Sequence, residues 1–262
     1  MVARPARRDT ERARLGRLVL SSAVVLLAAT AADAVGDRGR DGSSSARAAT
    51  TTTTTTPPVT LVPLASQPGA VPVITRVETT DPVVFLTIDD GWTRQPDALA
   101  ALEEADIPAS LFLVDPPVEQ DAEYFRSMSG TFVEGHTQTH VDLRTVSEEE
   151  QRAEICGNAD TIEGAFGRRP VLFRPPYGEY NDATVRAAAE CGMKAIVLWE
   201  QSLNGADVSY RSEPRFRRGD IILTHFRENF VEELRTVIQH VEAAGLEFAL
   251  LEDYIVPEDA PT

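Results

Sequence analysis

Two adjacent acids, Asp89 and Asp90, end the apolar run Val83-Val84-Phe85-Leu86-Thr87-Ile88 and are followed by Gly91. Neighbouring carboxylates repel, so a metal ion or an arginine must stabilise them. The chain offers both. His136 and His140 lie four apart in His136-Thr137-Gln138-Thr139-His140. On a helical turn that spacing puts both rings on one face, where they can grip one ion. Two histidines and one carboxylate leave positions open for water and substrate, and suit zinc or another divalent transition metal. The competing reading is a pair of hydrogen-bonded surface histidines. Arg174, in Phe173-Arg174-Pro175-Pro176-Tyr177-Gly178, could pair with one acid, lower its pKa and hold its rotamer. His225 follows Ile221-Ile222-Leu223-Thr224 and is of a type suited to general acid catalysis. The fourth histidine, His240, falls mid-helix on a solvent face and is given no role.

The elements that must carry these residues follow from the apolar pattern. Val83 to Ile88 is apolar on both alternating faces, as a buried strand is. Further strands are expected at Ala109 to Val114, Thr131 to Glu134, Val171 to Phe173, Ala195 to Trp199, Ile221 to Thr224 and Glu247 to Leu251. Helices are expected at Gln95 to Ala105, Glu119 to Ser129, Ser147 to Gly167, Asp182 to Cys191 and Phe230 to Ala244. Ser147 with Glu150 matches a capping box, and Gly167 and Gly245 read as stops. Strand and helix alternate, so the fold class is α/β with a parallel sheet, open or closed into a barrel. The four motifs follow strands, and in such a sheet the strand carboxyl ends share one face. One site is a simpler account than four coincidences.

Taken together, Leu86-Thr87-Ile88-Asp89-Asp90-Gly91, His136-Thr137-Gln138-Thr139-His140, Arg174-Pro175-Pro176-Tyr177 and Leu223-Thr224-His225 resemble the ordered motifs of the polysaccharide deacetylase family, the nodulation-protein-B-type carbohydrate esterases. The resemblance spans about Val83 to Leu251 and implies a distorted (β/α) barrel with one divalent metal, zinc first and cobalt or nickel as alternatives. It implies Asp89 as base, Asp90, His136 and His140 as metal ligands, and Arg174 as the residue positioning Asp89. The Tyr177 N–H would bind the oxyanion, Leu223 would line the acetyl pocket and His225 would be the general acid. One motif departs. The family's Asp-x-x-Asp-Trp after the fifth strand is absent: counting from Trp199, its acids would fall at Ser202 and Gly205 and its tryptophan at Ala206. Asp207 or Glu200 are the candidate substitutes for the acid that tunes His225. Trp92 could rebuild the pocket wall or stack on a sugar, or be only a partly buried loop residue.

The remaining bounds are compositional. Six arginines precede an apolar run from Leu18 to Ala32, and Ala32-Asp33-Ala34 fits a cleavage site. Residues 1–34 therefore read as a signal peptide, or as a signal anchor tethering the chain through residues 18–32, and the product as exported to the cell surface or wall. Residues 35–70, with threonine unbroken from Thr50 to Thr56 before Pro57-Pro58, read as a disordered linker. A single catalytic domain over 71–262 remains. The chain holds 25 basic and 41 acidic residues; nine and five of these lie in residues 1–47, leaving 16 against 36. So acidic a domain is a poor partner for nucleic acid or anionic membrane. Cys156 and Cys191 are either a disulfide or two buried thiols. The expected activity is metal-dependent removal of N- or O-acetyl groups from a glycan such as peptidoglycan or a chitin-like oligomer, by a chain for which a monomer is favoured. The alternatives are a glycan-binding module that keeps the metal site without turnover, and hydrolysis of a non-sugar amide.

Overall fold

Val83–Asp90 forms β2, the central strand, which is buried along its length up to Asp90. In this computed structural model residues 69–255 are described, Ser129 excepted. The expected signal segment (1–34), the membrane tether (18–32), almost all of the linker (35–70) and the last seven residues of the expected domain lie outside them. Among the described residues no helix is long and apolar enough to cross a membrane.

In chain order the strands are β1 (Val73–Ile74), β2, β3 (Ala109–Leu113), β4 (Thr131–Gly135), β5 (Leu172–Phe173), β6 (Ala195–Val197), β7 (Gln201–Asn204), β8 (Asp207–Tyr210), β9 (Ile221–His225) and β10 (Glu247–Phe248). The helices are α1 (Pro96–Ala105), α2 (Asp115–Arg126), α3 (Glu148–Phe166), α4 (Asp182–Glu190), α5 (Phe230–Ala243) and α6 (Glu252–Ile255). The strands lie in the order β1-β6-β5-β4-β3-β2-β9-β7-β8, with β10 on the amino end of β2. Every neighbouring pair along this path is parallel except β7 with β8. The result is a curved α/β sheet that forms a partial barrel.

Local chemistry explains most boundaries. Ser147 accepts from the Glu150 N–H while the Glu150 carboxylate accepts from the Ser147 N–H, starting α3 as the capping box requires, and Gly167 ends it in the left-handed region (φ 74°). α2 begins four residues earlier than expected, because Pro116 and Pro117 sit in its first turn, where no N–H is needed. The strand–helix alternation fails twice, once between β1 and β2, which follow one another directly. Between β6 and β9 there is no helix but the antiparallel hairpin β7–β8, turning at Gly205 (φ 63°) and Ala206. Glycine at the first of two turn positions is a hairpin signal.

Period-two alternation divides β2 between two cores. Val84, Leu86 and Ile88 pack outward with Leu102 of α1, Phe125 of α2 and Leu234 of α5. Val83 and Phe85 face inward with Phe112, Leu172, Val197 and Ile221. Leu251, Ile255 and Tyr254 cover that inner face at the strands' amino ends, Tyr254 lying edge-on to Phe85 at 5.0 Å. On the outer side, α3 and α4 are joined by a disulfide between Cys156 and Cys191, with Cα atoms 5.0 Å apart.

Candidate metal centre and active site

Thr87 and Asp89 continue the inner face of β2 beyond Phe85, at its carboxyl end. Thr87 Oγ1 donates to the Ile222 carbonyl (2.7 Å) and accepts from Arg174 Nη1 (2.8 Å). Arg174 is fully buried and lies 2.6 Å from Asp89 Oδ1. Its Nε donates to the Val197 carbonyl (2.9 Å), and its guanidinium stacks over Phe112, 4.2 Å from the ring centre. Burial pulls the Arg174 pKa below the ordinary value, and Asp89 works against that pull. Arginine nonetheless keeps its charge, so Asp89 has a permanent cationic partner.

Asp90 leaves the alternation. Its φ of 71° turns the chain, and its Oδ1 lies 3.3 Å from His136 Nε2 and 3.2 Å from His140 Nε2. Asp89 Oδ2 is further off, 3.7 Å from His136 Nε2. One ligand atom each of Asp90, His136 and His140 fall within 4.8 Å of one another. The buried Oδ1 of Asp90 has no hydrogen-bond partner, an orphan that a cation would satisfy. Burial raises the Asp90 pKa, but the two histidines outweigh it and hold the carboxyl well below the usual range. Burial likewise opposes charge on His136, yet Asp89 and Asp90 hold its pKa above the ordinary value.

The histidine loop is not a helical turn. After β4, Thr137 and His140 both take positive φ (69° and 63°), and the bend brings the two rings to 5.0 Å. Asn158 of α3 holds the loop: its Oδ1 accepts from the His136 N–H (2.9 Å), and its Nδ2 donates to Asp115 Oδ1 (2.7 Å) and the Leu113 carbonyl (3.1 Å). Asp115 also accepts from Gln138 and Thr161, and Glu154 accepts from Thr139. None of these positioning residues was singled out from the sequence. Asn158 left a signal, as a polar residue in the buried stripe of Ile155, Ala159 and Ile162 on α3. His136 Nδ1 lies 2.7 Å from the Arg174 carbonyl, which only accepts, so Nδ1 carries a proton and Nε2 is the nitrogen left to face Asp90 and an ion. Two imidazole Nε2 atoms facing one carboxylate are a donor set that fits zinc or a similar ion.

The other expected residues surround this cluster to different degrees. His225 is the Cα neighbour of Asp89, and Leu223 that of Thr87, across the β2–β9 pair. Leu223 is buried. Tyr177 has a positive φ of 62° in a single 3-10 turn, Pro176–Gly178; its ring lies edge-on to His140 at 4.8 Å and is 63% exposed. The turn's own bonds use the N–H groups of Gly178 and Glu179, not that of Tyr177. Trp92 is half exposed just past Gly91. The two candidate substitutes for the missing acid do not serve His225. Glu200 accepts from Thr75 (2.6 Å), Ser212 (2.5 Å) and Arg217 (3.3 Å), while Asp207 is exposed and pairs with Asn204 in the hairpin. Ser202, Gly205 and Ala206 lie in the same hairpin. His225 Nδ1 instead meets Arg227 Nη2 at 3.1 Å.

Comparison with known proteins gives four anchors. Residues 76–196 match the sequence profile described as polysaccharide deacetylase. The chain is 38% identical over 193 residues, 70% of its length and 77% of the other's, to an uncharacterized protein of Streptomyces coelicolor. It is 24% identical over 196 residues to a peptidoglycan-N-acetylglucosamine deacetylase of Bacillus cereus, covering 69% of this chain and 91% of that one. Among solved structures it superposes with a TM-score of 0.60, at 25% identity and over 70% of both chains, on a mutant of a Bacillus anthracis pseudoenzyme of carbohydrate esterase family 4 with restored enzymatic activity.

Proposed function

The chain belongs to the polysaccharide deacetylase family, and from that premise we propose that it is an exported, metal-dependent hydrolase removing acetyl groups from a cell-wall glycan. The observation that carries this reading is the division of the two adjacent acids. Asp89 is paired with the buried Arg174, and Asp90 is grouped with His136 and His140. A carboxylate held by an arginine next to a divalent-ion site is what hydrolysis of an unactivated amide or ester requires. Asp90, His136 and His140 would hold the ion, zinc by the chemistry of the donor set. When bound, such an ion polarises the acyl carbonyl and makes water more acidic.

The chain's own residues do the rest. Asp89, oriented by Arg174, whose guanidinium is itself held by Thr87, accepts the proton of the attacking water. The Tyr177 N–H, not used within its turn, is available to the developing oxyanion. Leu223 offers an apolar wall of about the size an acetyl methyl needs, and Trp92 and the exposed Tyr177 ring give faces on which pyranose rings can stack. The peptidoglycan activity named for the Bacillus cereus relative favours peptidoglycan as the glycan. The test is acetate release from acetylated peptidoglycan fragments by the purified full chain with added zinc. Acetate release that disappears with chelator and returns with zinc is expected; its absence under every divalent ion sinks the reading.

A second reading has an observation of its own. An arginine stands beside His225 where an acid is expected, and the Bacillus anthracis protein on which the chain superposes is a pseudoenzyme. A non-catalytic glycan-binding module would bind acetylated fragments saturably and release no acetate.

A further inference from the structure

Two histidines at this site carry opposite protonation patterns, and each is dictated by a partner that can play only one part. A carbonyl only accepts, so His136 is protonated on Nδ1, which lies 2.7 Å from the Arg174 carbonyl. A guanidinium only donates, so His225 Nδ1, 3.1 Å from Arg227 Nη2, must present its lone pair, and the proton of the neutral ring sits on Nε2. Arg227 is steadied in turn by Asn204 Oδ1 (3.4 Å), at the end of β7, beside the hairpin turn. Among the described residues no carboxylate forms a hydrogen bond or ion pair with His225 Nδ1, whose partner is Arg227. Glu200 is committed to Thr75, Ser212 and Arg217. Glu233, fully buried on α5, accepts from Thr224 Oγ1 and from the Gly205 N–H. The hairpin that occupies the stretch after β6 is thereby fastened to α5, and Asn204, its last β7 residue, reaches Arg227.

We propose that Arg227 is the positioning residue of His225, fixing it as an Nε2–H donor directed by a cation rather than as an imidazole oriented by a carboxylate. The inference rests on the deacetylase reading for its consequence but not for the tautomer itself. Burial, then Arg227 and His136, lower the His225 pKa against the opposing pull of Asp89 and Asp90, which agrees with a neutral ring. The consequence for hydrolysis is a change of duty. His225 donates a hydrogen bond to the atom on which charge develops and stays protonated on Nε2. The proton that Asp89 takes as water's O–H bond breaks is then the one delivered to the leaving atom as the acyl C–N or C–O bond breaks, and Asp89 ends as a carboxylate.

The test separates the two layers. The full chain, labelled with 13C and 15N histidine, has four histidines to resolve, and His225→Gln assigns the signal of interest. In the metal-free protein at neutral pH, His225 is expected as the Nε2–H tautomer; Arg227→Met should produce a mixture, Arg227→Lys should restore Nε2–H, and Arg227→Glu should convert it to Nδ1–H. An Nδ1–H ring in the unaltered protein, or a tautomer that Arg227→Met leaves unchanged, overturns the proposal. These readouts hold whether or not the protein releases acetate. Where it does, Arg227→Met is expected to lower kcat about tenfold, the range found when an orienting partner is lost, with KM within about twofold and Arg227→Lys recovering most of the rate. An unchanged kcat refutes the positioning role. Arg227 is only partly buried, so the folded state of each variant can be verified by its melting curve.

Discussion

Asp90 takes a positive φ and Asp89 does not. The positive φ of Asp90 swings its carboxylate towards His136 and His140, while Asp89 stays on the inner face of β2 against Arg174. Among the described residues, four of the five non-glycine positions with positive φ are Asp90, Thr137, His140 and Tyr177, so backbone strain is concentrated around this cluster. Substitutions of the two acids are therefore expected to fail differently. Asp90→Ala should lose bound zinc, read by metal analysis after dialysis. Asp89→Asn should keep zinc and lose about 10²–10⁴-fold in kcat; equal zinc loss in both would undo the assignment. Arg174→Met leaves Asp89 buried without its cation. It should cost roughly 3–5 kcal/mol of stability, measured by denaturant unfolding. A cost near that of an exposed ion pair, below about 1 kcal/mol, would show that Asp89 does not depend on Arg174.

At the scale of elements, two attachments invite measurement. The disulfide joins α3 to the end of α4 across 35 residues. Closing a loop of that length stabilises by roughly 3–4 kcal/mol through the unfolded chain. Cys156→Ala with Cys191→Ala should therefore lower Tm by about 10 °C in this size range, and dithiothreitol should do the same to the unaltered chain. The second attachment is α6. Burial, with Glu134 as an added repulsion, pushes the Glu252 carboxyl up to about 8, and Ser110 Oγ donates to it (2.8 Å). Glu134, which accepts from Arg168 and from the Val171 and Leu172 N–H groups, is raised by the same burial. A carboxyl raised in the folded state binds its proton more tightly there than in the unfolded chain. The stability it contributes is full below the ordinary carboxylate range and is lost as pH climbs to about 8. Glu252→Gln, neutral at every pH, should leave stability near pH 5 almost unchanged and exceed the unaltered protein at pH 9. Parallel stability curves for the two proteins would contradict this.

For the whole molecule, charge and topology matter most. Residues 48–262 hold 16 basic and 36 acidic residues. Removing N-acetyl groups turns a neutral glycan into a polycation, so the product is expected to be retained at low ionic strength. Glucosamine oligomers should retard the protein in a gel-shift or chromatographic assay and release it at about 0.3 M salt, where charges a few ångströms apart are already screened. DNA should neither bind nor compete. Binding that ignores salt would point to contacts other than this overall charge.

The residues that cluster at the site were legible along the chain because they depend on residue type and short spacing. Asp89-Asp90-Gly91, the two histidines four apart, Arg174 before its prolines and His225 after an apolar run each announce themselves locally. So do the strands that end in them, through β-branched runs, and α3, through its capping box. The stretch after Trp199 was not legible as a hairpin. Ser202, Gly205 and Ala206 read there as the positions of a missing motif, and Gly205 as no turn. What folding alone supplied are the pairings between distant residues. Asp89 meets Arg174 from 85 positions away, Asn158 reaches the His136 N–H across 22, and Cys156 joins Cys191. Local spacing assigns a histidine to a site, but the proton on its ring follows from what faces each nitrogen. That is why His136 and His225, alike in following apolar strands, are given opposite tautomers by an arginine carbonyl in one case and an arginine guanidinium in the other.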